Sequence, residues 1–104
     1  MEVQRKVSGV TFTITEKAAE RVRRIRWRKK AEGFLRIIAE KRGDTQWVFQ
    51  MGFDAQRDGD EKTESQGVVV VMDKLTAKAL DGMTVDYTQS GGKGTFVFTR
   101  TPTP

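Results

Sequence analysis

The chain has 104 residues, 37% of them hydrophobic and 32% charged, with 19 Lys and Arg against 14 Asp and Glu for a formal net charge of +5. That length fits one domain with a modest core over 1–104, and no apolar run nears the ~18 residues that read as a membrane span. Cysteine and histidine are both absent, which excludes disulfides, the usual zinc sites, and thiolate or imidazole chemistry near neutral pH.

In chain order, the opening MEVQRKVSG has no apolar h-region and carries Glu2, so no secretory signal is expected and the cytoplasm is the default location. Residues 1–9 are expected to be flexible. Val10, Phe12 and Ile14 alternate with Thr11 and Thr13, the two-residue period of a half-buried strand. Thr15 is placed to cap a helix that opens on Glu16, whose charge suits a helix start. In that helix Ala18, Val22 and Ile25 share one stripe, and the pattern fades between Lys29 and Gly33. Residues 34–40 and 46–53 read as two strands joined at a basic turn, Lys41-Arg42-Gly43. The second puts Trp47, Phe49, Met51 and Phe53 on one face and Gln46 and Gln50 on the other.

The polar stretch DAQRDGDEKTES, 54–65, reads as an exposed loop. Gly67 to Met72, rich in valine, is a strand buried on both faces. Asp73 is placed to cap a short helix through Leu75, Ala79 and Leu80 that Gly82 stops. Val85 and Tyr87, then Phe96 and Phe98, alternate as two strands joined through SGGKG, and the tail 99–104, TRTPTP, should fray.

Four features bear on function. The first thirty residues hold ten basic side chains against three acidic, and the remainder nine against eleven, so the positive charge is concentrated on the helix 16–30. Such a patch suits nucleic acid, an anionic surface or an acidic protein; the plainer reading is a solvated helix face, helped by Glu20 and Arg24 at i,i+4 spacing. No base-reading motif or stacking pattern accompanies it, which weighs against nucleic acid. Trp27 lies nearly opposite Ala18, Val22 and Ile25 if the helix stays regular, an exposed indole among arginines, as at interface hot spots. If the helix unwinds first, the ring folds back onto the core. The candidate partner-binding residues are Arg23, Arg24, Trp27 and Arg28.

Asp54, Asp58, Gly59 and Asp60 echo the start of a calcium loop. Gln56 and Ser65 stand where that loop needs an acid and a bidentate Glu, so a solvated loop is the expectation. Ser90-Gly-Gly-Lys-Gly lacks the earlier glycine and the following Ser or Thr of a phosphate loop and reads as a hairpin turn. Any metal held by the chain alone would have oxygen ligands, the donors of calcium, magnesium, manganese or weakly held iron.

The blocks TFTITEKAAERV, LRI with FD closing the next strand, GVVVVMD, LDGMTVDY and GGKGTFVF resemble, in order and spacing, the HesB/IscA family of A-type iron-sulphur carriers over about residues 10 to 98. The resemblance implies an α+β fold, compact and mostly β with mixed strands and two helices. It also implies assembly as dimers or tetramers, and transfer of iron or a cluster to apo-proteins through three cysteines. One of these follows the turn after the first helix and strand, and an ungapped run from LRI to FD puts Asp44 there; the other two form a Cys-Gly-Cys that no residue here matches.

Clusters are held by soft thiolates, so no cofactor is expected of this chain alone. Asp44 is at most one oxygen of a weak iron site, and its plainer role is to bond nearby turn amides. The expected function is a non-enzymatic accessory of iron-sulphur cluster assembly that acts through protein contacts. The partners implied are assembly components and further copies of the chain. A carboxylate-based metal protein and a nucleic-acid binder using helix 16–30 are the alternatives. An enzyme is not expected, because no two of the remaining Asp, Glu, Lys and Tyr form a recognisable catalytic pair.

Overall fold

The computed structural model describes residues 11–44 and 46–100. In order the elements are β1 (Thr13–Ile14), α1 (Glu16–Lys29), β2 (Phe34–Arg42), β3 (Gln46–Asp54), β4 (Glu61–Ser65), β5 (Val68–Met72), α2 (Lys74–Leu80), β6 (Met83–Ser90) and β7 (Lys93–Arg100). They form the α+β fold expected, mostly strand with two helices. Val10, the segment 1–9 and residues 101–104 lie outside the described residues, as does Thr45.

The strands form two mixed sheets, one ordered β1-β6-β7 and the other β3-β2-β5-β4. In the first, β1 runs parallel to β6, and β6 pairs antiparallel with β7. In the second, β2 is antiparallel to β3 and parallel to β5. The parallel pairing aligns Leu35 with Val70 and Arg36 with Val71. Farther along β2, the Ala39 amide donates instead to Thr76 Oγ1 of α2 at 2.8 Å. A buried amide needs a partner, and the second helix supplies one.

Both helix starts follow the capping residues read from the sequence. Thr15 Oγ1 accepts from the Ala18 amide at 3.1 Å and itself donates to Asp86 at 2.7 Å, which ties the start of α1 to β6. Asp73 Oδ1 accepts from the Thr76 amide at 2.7 Å. The core gathers Phe12 and Ile14, Ala18 and Val22 from α1, Leu35 and Ile37 from β2, Val70 and Met72 from β5, and Leu80 and Val85. The rings of Phe49 and Phe98 stack with centroids 4.5 Å apart, joining the edge strand of one sheet to the edge strand of the other.

The structure corrects the sequence reading at four places. The β2–β3 ladder continues through Lys41–Trp47 and Arg42–Gln46, so the turn falls at Gly43 and Asp44 rather than at 41–43. The stretch 54–65 is a loop only at first; Glu61–Ser65 is a strand because the valine strand beside it offers a ladder, Glu61 against Met72 through Ser65 against Val68. Leu75 is exposed while Thr76 is buried, because α2 turns Thr76 inward to accept from the Ala39 amide. Thr99 and Arg100 belong to β7, paired with Thr84 and Met83, so the fraying expected over 99–104 does not start at 99.

Candidate functional site: a cationic helix flanked by apolar grooves

Among the described residues, α1 buries Ala18, Ala19 and Val22. With 100° per residue that orientation carries Trp27 outward, and its side chain is 82% exposed. The helix stays regular to Lys29 and ends on Lys30 in a left-handed conformation, φ 52°, with the Ala31 amide donating to Arg26 O at 3.0 Å. Of the two arrangements open for Trp27, the structure adopts the exposed one.

From Arg21 to Lys30 the sequence has seven cations and no acid. No carboxylate pairs with Arg23, Arg24, Arg26, Arg28, Lys29 or Lys30 among the described residues. Three of the arginines are nonetheless held in place. Arg23 Nη1 donates to Gln66 O at 3.0 Å, the Arg26 guanidinium lies 5.6 Å over Phe53, and that of Arg21 lies 5.3 Å over Tyr87. Arg26, Arg28 and Lys29 also face the negative end of the helix dipole, which gives part of this charge a structural role.

The surface gathers three of the four residues singled out by sequence. Arg23, Trp27 and Arg28, with Arg26, Lys30 and Ala31, line a shallow cavity of about 730 Å³. Arg24 is exposed and is not part of that lining. On the sheet side of α1 runs an apolar groove of about 460 Å³, lined by Ile25, Ala31, Met51, Phe53 and Phe96 with Lys29 among them. A further cavity of about 330 Å³ lies between Val22, Arg23, Arg26, Phe34, Phe53 and Val69. The sequence shows most residues of these grooves as parts of the first helix or of strands, but not that they meet around one helix end.

Asp44 is exposed in the turn after β2. No side-chain hydrogen bond ties it to a turn amide among the described residues, and no three of His, Cys, Asp and Glu converge there into a group able to hold a metal ion. The calcium-loop echo is taken apart by one residue that sequence reasoning missed, Arg36. Its Nε donates to Asp54 Oδ2 at 3.0 Å, its Nη1 to Asp60 Oδ1 at 3.3 Å and its Nη2 to Asp60 Oδ2 and to Ala55 O at 3.0 Å. Two of the acids that would start such a loop are therefore turned onto a buried guanidinium. Hydrogen bonding from Arg36 holds the Asp60 carboxyl below its ordinary range, and the Ala55 amide, with Arg57 and Arg36, does the same for Asp54. The glycine-rich segment is the hairpin turn expected, Gly91 and Gly92 at φ 59° and 81° between β6 and β7.

Two mixed sheets and two helices, the first with a cation-rich C-terminal end, define a small α+β scaffold. The family model for iron-sulphur cluster biosynthesis matches residues 10–101, and the chain belongs to that family, HesB/IscA. An Aquifex aeolicus protein is 30% identical over 87 residues, 82% of this chain and 75% of that protein. An uncharacterised protein of Sinorhizobium fredii is 37% identical over 65 residues, and the chain spans 61% of its length. Among solved structures, IscA with a 2Fe–2S cluster superposes with a TM-score of 0.75 at 23% identity, covering 86% of this chain and 85% of that one. Escherichia coli SufA, involved in biosynthesis of iron-sulphur clusters, gives 0.71 at 20% identity over 86% and 79%. The two likenesses are of fold.

A cluster calls for soft ligands, and these 104 residues contain neither thiolate nor imidazole. The donor set does not fit one.

Proposed function

We propose that this chain is a non-enzymatic accessory of iron-sulphur cluster assembly, an adaptor or regulator that works through protein contacts and carries no cluster itself. The observation that carries the reading is the pairing of the family fold with a sequence free of cysteine and histidine. A scaffold without ligands retains only its surface as an instrument. The surface that supports the reading is the C-terminal half of α1, where an exposed Trp27 stands among Arg23, Arg26 and Arg28. Indole and guanidinium groups together are over-represented where binding energy concentrates.

The test is a cluster-transfer assay. A cluster-loaded, cysteine-bearing family member and an apo-acceptor are mixed anaerobically with increasing amounts of this chain. The transfer rate should change with dose, while the chain itself elutes free of iron and sulfide. A rate that ignores the chain at every ratio would sink the reading.

A further inference from the structure

We infer that the C-terminal half of α1 docks an acidic peptide segment that also carries an apolar side chain. The inference rests on the adaptor reading for the partner's being a protein, and it specifies what that protein must present.

The charge argument comes first. The surface around Trp27 is lined by Arg23, Arg26, Arg28 and Lys30, and no carboxylate of the described residues neutralises these groups. Like charges held together on one helix repel, and a segment rich in Asp and Glu relieves that repulsion and speeds encounter. Two of the cations are positioned before any partner arrives, Arg23 by Gln66 O and Arg26 by the Phe53 ring. Less side-chain freedom is then lost on binding.

Charge alone does not select a peptide. The selection comes from the groove alongside, where Ile25, Met51, Phe53 and Phe96 present carbon and Lys29 is the cation among them. Its volume of about 460 Å³ accommodates an aliphatic or aromatic side chain. Ala31 lines both this groove and the cationic surface, so a short extended segment can seat an apolar group in one and carboxylates on the other. Single-stranded nucleic acid fits less well, because sequence-tolerant binding of that kind stacks successive bases on several aromatic faces, and Trp27 is the one aromatic ring lining the cationic surface. A second copy of the chain fits less well too, since an isologous contact through this surface would oppose arginine to arginine.

The experiment uses the full chain with Trp47→Phe, so that fluorescence reports Trp27 alone. Four probes are titrated: a short Asp/Glu peptide with spaced leucines, the same peptide with serine for leucine, a lysine peptide with the leucines, and oligothymidylate. The acidic leucine peptide should saturate the signal, more weakly as salt rises, and the serine and lysine versions should bind at least about tenfold more weakly. Trp27→Ala, which removes the reporter and is therefore read by the polarisation of a dye-labelled acidic leucine peptide, and Arg26→Glu with Arg28→Glu should each lower its affinity by about tenfold or more with an unchanged circular dichroism spectrum. Phe96→Ala should weaken the leucine probe and leave the serine probe alone.

Equal affinity for the leucine and serine probes would overturn the inference, as would tighter binding of oligothymidylate, or a dimer in sedimentation that Trp27→Ala dissolves. The two readings fail separately. A chain that alters cluster transfer yet ignores every acidic peptide refutes the docking surface only. One that binds the acidic leucine peptide yet leaves transfer unchanged refutes the adaptor role only.

Discussion

Arg36 and Asp60 form a buried ion pair that crosses 24 residues of sequence, both Nη atoms of the guanidinium meeting the carboxylate while the side chains keep only 8% and 5% of their exposure. The pair closes the loop after β3 onto the outer face of β2, and Asp54 and Ala55 O complete the shell around the guanidinium. Removing one member of such a pair leaves the other charge desolvated, at a cost of about 3 to 5 kcal/mol. Asp60→Ala should fall near the lower end, about 3 kcal/mol in urea unfolding, because Asp54 still faces Arg36. A loss under 1 kcal/mol would show that the pair is not formed.

The same contacts set a pH dependence. Asp60, Asp54 and Asp86 all have carboxyl pKa values lowered in the fold, by the hydrogen bond from Arg36, by the Ala55 amide and by the Thr15 hydroxyl respectively. A group whose folded pKa lies below its unfolded value of about 3.9 contributes stability above that value and loses it as pH falls through the folded one. The urea midpoint should therefore hold steady from neutral pH down to about 5 and drop below about 4. Asp60→Asn should flatten that drop. A midpoint that rises on acidification would contradict these assignments.

Gly33 joins α1 to β2 at φ +90°, and a Cβ there would lie 2.5 Å from the carbonyl oxygen of Asp54. Both the backbone angle and the neighbour, which is main chain, oppose a side chain. Gly33→Ala should cost about 2 kcal/mol or more by chemical denaturation. An unchanged midpoint would mean that this close approach does not exist.

Trp27 and Leu80 should behave as opposites under truncation. Leu80 is fully buried, so Leu80→Ala should cost about 2 to 5 kcal/mol. Trp27→Ala, at 82% exposure, should stay within about 0.5 kcal/mol of the parent despite the larger deletion. Acrylamide quenching provides a second check. Trp27 should be the more accessible of the two indoles, and Trp27→Phe should remove the readily quenched emission.

Much of the scaffold was legible because local rules and tertiary structure agree. The alternation around Phe12 and Ile14, the oxygens of Thr15 and Asp73, and the Trp47–Phe53 stripe each announce an element that packing then retains. What escaped depends on partners distant in the chain. Glu61–Ser65 has no strand pattern of its own and becomes one by pairing with valines. Arg36 reads as an ordinary outward charge between Leu35 and Ile37, and its burial requires acids 18 and 24 positions away. The candidate surface was half legible: periodicity put Trp27 and its arginines outward, but the apolar groove beside them joins α1 to β3 and β7, which no local pattern encodes.

The central proposal is that this chain, with the family fold and without cysteine or histidine, builds no cluster. Anaerobic incubation of the purified chain with ferrous salt and sulfide, followed by desalting and assay of iron, acid-labile sulfide and visible absorption, tests it most directly. The account predicts a colourless protein with iron far below one per chain and an unchanged melting temperature. A stable brown protein holding stoichiometric iron and sulfide would contradict it.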